Sequence, residues 1–276
     1  MKIFRKASEL EPNLVSIKDK GQSIGLVLTM GNLHDGHLSL IREAQLHNEF
    51  VICSIFINPT QFNNENDFNS YPKTIDEDIS KLENIGCNAL FLPEVQEIYP
   101  KGLAKKKIVN NFRNILCDKF RPGHFDGVTT VVDLFFNMIK PTNSYFGEKD
   151  FQQVKIIQDL VKINHHNIKI IQCPSVRDKT GMSLSSRNSK FSNDQLKIFN
   201  VLGNKIKEHI NLLTQNEINN LDQLKIELLQ NNINKIDYLE IRNENNLEIT
   251  KNYSEARLFI ALYIGDIRII DNFKLY

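Results

Sequence analysis

Short apolar runs rich in β-branched residues alternate with stretches long enough for three helical turns. That alternation constrains the fold of this chain more than any other feature. The runs cover residues 24–29, 51–57, 89–92, 144–146 and 168–173, and the helical stretches cover 37–47, 75–85, 128–139 and 151–163. Strands alternating with helices imply right-handed βαβ crossovers and a parallel sheet covered on both faces, the α/β class. Ligands of such sheets bind beyond the carboxyl ends of the strands. Three polar segments fall at such ends: His34-Asp35-Gly36-His37, Asn58-Pro59-Thr60-Gln61 and Gly147-Glu148-Lys149-Asp150.

The first of these carries the most chemistry. Two imidazoles three residues apart open a predicted helix that bears Leu38, Ile41 and Ala44 at near-helical spacing. A helix N-terminus presents unpaired N–H groups and a partial positive charge, so an anion, phosphate above all, suits it. Gly31 and Gly36 leave room for close approach, and His34 and His37 add donors for charge developing on phosphorus. Two histidines can also be a packed pair or metal ligands. A zinc site usually needs three or four ligands, however, and the other histidines and cysteines offer no complementary pair. At the later strand end, Lys149 is a cation that neutralises phosphate, and Asp150 suits a helix cap. Gln61 and Gln153 are neutral amides suited to hydroxyls or a carboxylate. The acidic cluster Asp76, Glu77 and Asp78 reads as a favourable interaction with the dipole at its own helix start.

The character changes after Pro174. A polar, glycine-containing loop over 177–188 leads to an amphipathic helix marked by Leu196, Phe199, Ile206, Ile210 and Leu213. A second helix near 221–229 and strands at 236–241, 258–264 and 267–270 follow, the last two joined at Gly265-Asp266 in a tight hairpin. The expectation is a parallel-sheet domain over 1–173 and a smaller α+β domain over 174–276. In the second, the hydroxyls and amides of 179–187 can wrap a polyphosphate while Arg187 supplies a charged fork. The net charge of +1 argues against a dedicated nucleic-acid surface. Four scattered cysteines without a C-x-x-C pair, and no apolar run near the ~20 residues that span a bilayer, point to a soluble cytoplasmic protein.

Several long motifs occur in order: 29–37 (TMGNLHDGH), 56–62 (FINPTQF), 121–125 (RPGHF), 146–153 (FGEKDFQQ) and 184–188 (LSSRN). Together they resemble the pantothenate synthetase family, the pantoate–β-alanine ligases. The resemblance implies a Rossmann-like N-terminal domain, a C-terminal lid, ATP with Mg²⁺, and a homodimer. It further implies that pantoate attacks the α-phosphorus of ATP to give pantoyl adenylate and pyrophosphate, after which β-alanine displaces AMP. Residue by residue, it assigns ATP to Met30, Gly31, Asn32, Leu33, His34, Asp35, Gly36, His37, Gly147, Glu148, Lys149, Asp150, Val176, Leu184, Ser185, Ser186 and Arg187. Pantoate falls to Gln61 and Gln153, with Gln61 also near β-alanine. His37 becomes the proton donor, or the donor to developing phosphate charge, assisted by His34 and Lys149. The chain departs from the family pattern at Leu28, where proline usually precedes Thr-Met-Gly. The segment 101–118 is also shorter than usual. Without the resemblance, the residues leave open a nucleotidyltransferase acting on a phosphorylated small molecule, or a nucleotide-binding protein without turnover. The amides of Gln61 and Gln153, with no cluster of cations for a substrate phosphate, favour an uncharged hydroxy acid.

Overall fold

A computed structural model describes residues 1–62, 68–102, 105–165, 167–215 and 221–276. Contacts divide the chain into two compact units. The first is Met1–Asn114 with Arg121–Pro174, and the second is Ile115–Phe120 with Ser175–Tyr276.

The first unit holds a six-stranded parallel sheet. Its strands are β1 (Lys2–Phe4), β2 (Ile24–Thr29), β3 (Phe50–Ile55), β4 (Ala89–Phe91), β5 (Asn143–Gly147) and β6 (Lys169–Cys173), in the spatial order β1-β4-β3-β2-β5-β6. The strand order reverses between β2 and β5, and a crevice at the carboxyl ends of those two strands is where such sheets bind ligands. Both ends belong to segments singled out above: β2 runs into Met30–His37 and β5 into Gly147–Asp150. The helices are α1 (Ala7–Asp19), α2 (Asp35–His47), α3 (Ile75–Asn84) and α4 (Val95–Ile98), then, beyond α5 (Leu116–Phe120) of the second unit, α6 (His124–Ile139) and α7 (Phe151–Asn164). One core cluster joins Val27, Val51, Cys53 and Ile55 of the strands to Leu40, Ile41 and Ala44 of α2 and Leu82 of α3. The far end of α2 is tied to the sheet by buried Asn48, whose amide donates to the Ala44 carbonyl at 2.8 Å and the Tyr145 hydroxyl at 2.7 Å. Close packing makes that tie possible, because a Cβ on Gly25 of β2 would sit 2.7 Å from the Asn48 amide nitrogen.

In the second unit, β7 (Lys235–Asn243), β8 (Ala256–Ile264) and β9 (Ile267–Lys274) form an antiparallel sheet in that order. The long helix α8 (Asn193–Thr214) and α9 (Asp222–Gln230) bury Phe199, Leu202, Ile206, Leu224 and Leu228 with Leu258, Ile260 and Leu262. The short helix α5 (Leu116–Phe120) belongs to this unit: Cys117 Sγ lies 3.2 Å from the Tyr238 hydroxyl, and the Phe120 ring packs on Tyr238. All four cysteines are free and buried. Among the described residues no helix is long and apolar enough to cross a membrane.

Candidate active site

The turn after β2 is shaped by backbone conformation before side chains add to it. Gly31 and Asn32 both take positive φ, +83° and +50°, which reverses the chain so that α2 starts at Asp35. A Cβ on Gly31 would also lie 3.1 Å from Ile55 and 3.2 Å from an Asp78 carboxylate oxygen. His34 is the N-cap of α2, with extended backbone. Its Nδ1 accepts the Gly36 N–H at 3.1 Å, while the His34 N–H donates to His37 Nδ1 at 3.4 Å. The two rings stand 4.1 Å apart. Gly36 is glycine for a steric reason, since a Cβ there would meet His34 Cε1 at 2.9 Å and Nδ1 at 3.0 Å.

These contacts change the expected chemistry. Two N–H groups that the sequence offers to an anion are already taken, Gly36 by the His34 ring and His37 by the His34 carbonyl at 2.8 Å. Each imidazole, accepting at Nδ1, carries its proton on Nε2 when neutral. Neutral is the favoured state. Desolvation, helped by the Lys149 ammonium, lowers His34 to about 4. Desolvation likewise holds His37 well below its ordinary value, helped by His34 and Lys149. The pair therefore presents two neutral Nε2–H donors beside a cation rather than two acids.

Lys149 lies in a 3₁₀ turn, Glu148–Asp150, directly after β5, with Nζ 3.8 Å from an Asp150 oxygen. Gln172 of β6 holds Glu148 through a 2.9 Å hydrogen bond. Gln61 closes a 3₁₀ turn after β3, and its amide is oriented at both ends: Oε1 accepts from Asn58 at 3.1 Å and Nε2 donates to Met30 Sδ at 2.9 Å. Gln153 stands partly exposed in the first turn of α7 and makes no side-chain hydrogen bond among the described residues.

In the second unit, Leu184 N–H donates to the Val176 carbonyl at 2.9 Å, closing a narrow ribbon whose tip turns at Gly181 with φ +89°. Ser185 caps the 3₁₀ turn Ser186–Lys190 by accepting the Arg187 N–H, and Arg187 is half-buried. Asp271 of β9, fully buried, accepts the Ser183 N–H at 2.7 Å and pairs with Arg177 at 3.1 Å; the Arg177 guanidinium also stacks on Phe273 at 4.5 Å.

Three supports were not read as such from the sequence. The first is Asp78. Asp76 and Glu77 are not buried at the start of α3, but Asp78 is buried and turned away from the dipole role expected of it, accepting the Asn32 and Leu33 N–H groups at 2.8 and 2.7 Å. The second is buried Asn58, whose amide donates to Gln61 and to the Gly127 carbonyl while its oxygen accepts from Tyr99 and Thr60. The third is the 121–125 motif: His124 Nδ1 donates to the Gln61 carbonyl at 2.8 Å, and Arg121 donates to His124 Nε2 at 3.1 Å. Gly127 permits this contact, because a Cβ there would run into the Thr60 carbonyl.

Comparison with known proteins decides the family. A family model described as Pantoate-beta-alanine ligase matches residues 2–274. The chain belongs to the pantoate–β-alanine ligase family. Enzymes of this family form the amide bond between pantoate and β-alanine. The pantothenate synthetase of Thermodesulfovibrio yellowstonii is 41% identical over 262 residues, 93% of each chain. The crystal structure of pantothenate synthetase from Thermus thermophilus superposes with a TM-score of 0.91 at 32% identity, covering all of both chains. A Francisella tularensis pantoate–β-alanine ligase, crystallised with beta-gamma ATP and β-alanine, gives a TM-score of 0.85 at 39% identity, covering 100% of this chain and 98% of that one. The mixed α/β architecture read from the sequence agrees with these neighbours.

Proposed function

We propose that this chain joins pantoate to β-alanine in two steps on one site, with ATP as the activating substrate. In the first, a pantoate carboxylate oxygen forms a bond to the α-phosphorus of ATP, the bond from that phosphorus to the bridging oxygen breaks, and pyrophosphate leaves. In the second, the β-alanine amine attacks the acyl carbon of pantoyl adenylate, AMP leaves with the bonding pair, and the nitrogen loses a proton. The observation that carries this reading is the pair of neutral Nε2–H imidazoles beside Lys149, at the point where the strand order reverses. Such donors, fixed before reaction, stabilise charge that grows on phosphate oxygens in the transition state.

Placement and family membership support the following roles. Met30–His37 and Gly147–Asp150 hold ATP, with His37 and His34 donating to phosphate oxygens and Lys149 countering their charge. His37 keeps its proton, because a group held well below its ordinary value donates a hydrogen bond more readily than a proton bound only at low pH. Gln61 and Gln153 hold pantoate, and Gln61 also meets β-alanine. Val176, Leu184, Ser185, Ser186 and Arg187 of the second unit, acting as a lid, add to ATP binding. Among the described residues no group of three or more His, Cys, Asp or Glu forms a ready cage for a metal. Mg²⁺ would arrive with ATP, held mainly by phosphate oxygens and water. The enzyme works as a cytoplasmic homodimer in this reading.

The test is product analysis with ATP, pantoate and β-alanine. AMP, pyrophosphate and pantothenate in equal amounts are expected. Pyrophosphate formed without pantothenate would replace this reading with nucleotidyl transfer.

A further inference from the structure

We propose that Asp78 and Lys81 of α3 are positioning residues that set the tautomer of His37 through the Leu33–His34 peptide, an inference that rests on the phosphate-donor role just assigned to that histidine. The two side chains are three apart and so share one face of α3. They grip groups of opposite polarity on one short segment. Asp78, buried and without a cationic partner among the described residues, accepts the N–H groups of Asn32 and Leu33 at 2.8 and 2.7 Å, with the Thr74 hydroxyl adding a third bond at 3.2 Å. The Lys81 ammonium donates to the Leu33 carbonyl at 2.8 Å.

The Leu33 carbonyl and the His34 N–H belong to one planar peptide unit, so fixing the direction of the first fixes the second. That N–H is the one that donates to His37 Nδ1 at 3.4 Å. An N–H facing Nδ1 leaves the neutral ring protonated at Nε2, the donor form, whereas a rotated peptide would present its carbonyl and favour the Nδ1–H form, an acceptor toward phosphate. The strain of the turn explains why an outside grip is needed. Gly31 takes positive φ freely, but Asn32 takes it at a modest cost that the surrounding contacts help to offset. Charge-assisted bonds from a buried carboxylate and an ammonium are the strong kind for that purpose.

The test compares wild type with Lys81→Met, Lys81→Arg and Asp78→Asn. Ring ¹⁵N NMR reads the His37 tautomer in the ligand-free protein, and rapid mixing with ATP and pantoate reads adenylate formation. The wild type is expected as the Nε2–H form. In Lys81→Met and Asp78→Asn, the Nδ1–H form should appear and the adenylate rate should fall about tenfold or more, as for loss of one bond to a charged group. KM for pantoate should stay unchanged. Lys81→Arg should restore both readouts, which a purely structural role would not require. Lys81 is partly exposed and its replacement spares the core, so Lys81→Met keeps the test valid if Asp78→Asn folds poorly. An unchanged tautomer in Lys81→Met, or a changed tautomer with an unchanged adenylate rate, would overturn the proposal. A wild type that turns over no ATP with pantoate would instead remove the reaction assigned above, while the NMR result would still decide whether α3 sets the tautomer.

Discussion

The loop at Gly31–His37 and the loop at Val176–Arg187 solve one problem with different means. Each is a polar, glycine-bearing segment held by a buried aspartate of its own unit that accepts backbone N–H groups, Asp78 for the first and Asp271 for the second. Asp78 is matched by peptide dipoles and a hydroxyl. Asp271 is matched by Arg177, a residue of the loop it anchors, which also donates to the Gly181 carbonyl. In the first loop, the anchor's charge serves the geometry of two histidines. In the second, it serves the integrity of an ion pair that also closes the ribbon onto β9. Loss of a carboxylate matched by N–H groups and a hydroxyl should then tell mainly on the loop's function, and loss of one matched by arginine mainly on stability.

The largest effect expected from breaking this contrast is on the first loop. Removing one preorganised donor in other enzymes costs roughly 10²–10³ in kcat, and His37→Ala should lose adenylate formation by a comparable factor with its melting temperature little changed. Single-turnover pyrophosphate release checks it. A wild-type rate would reduce His37 to scaffold.

Next comes Asp271→Ala, whose effect should be on stability. It leaves Arg177 and the Ser183 N–H without their partner, and breaking a buried pair costs about 3 kcal/mol when, as here, the guanidinium keeps 30% exposure. Denaturant unfolding of the full chain should show that loss, with little change in the first loop's His37 tautomer. Equal losses of stability from Asp271→Ala and Asp78→Asn would erase the distinction between the loops.

The smallest effect is a pH dependence that should be missing. His34 is lowered to about 4 and His37 well below its ordinary value, so neither takes up a proton between pH 6 and 8, and adenylate formation should show no histidine limb there. Stability carries the opposite mark. In the unfolded chain both rings protonate near 6.5, so their contribution is fully present above that pH and is lost as pH falls from there toward 4. Unfolding at pH 7 and pH 5 measures the loss, and His34→Gln should shrink it.

How far the sequence reaches is visible in the same two loops. The alternation of strands and helices placed β2, β5, α2 and α7 to within a residue or two, and the hairpin at Gly265-Asp266 is present as read. Local pattern suffices where one element packs on its chain neighbours. The short edge strand β1 and the helix α1 went unread: three residues carry no period, and Pro12 inside α1 masks the spacing of buried Leu10, Leu14 and Ile17. The glycines at 31 and 36 were read as room for a ligand, but at Gly36 the room is filled by the His34 ring. Asp78 looked like one more acid in a helix's first turn because its partners lie 45 and 46 residues away, and Asp271 meets Ser183 across 88. Anchors of this kind are written in tertiary contacts, which no local spacing reveals.

Attack at the α-phosphorus, the step proposed for the neutral histidine pair, is read from the fate of labelled ATP. ATP labelled at the α- and γ-phosphates is mixed with pantoate and excess enzyme without β-alanine, and the quenched products are separated. Pantoyl adenylate carrying the α-label and pyrophosphate carrying the γ-label are expected, with pantothenate and AMP appearing once β-alanine is added. ADP carrying the α-label, with the γ-label on pantoyl phosphate or on the inorganic phosphate its hydrolysis releases, would contradict it, since attack would then have fallen on the γ-phosphorus.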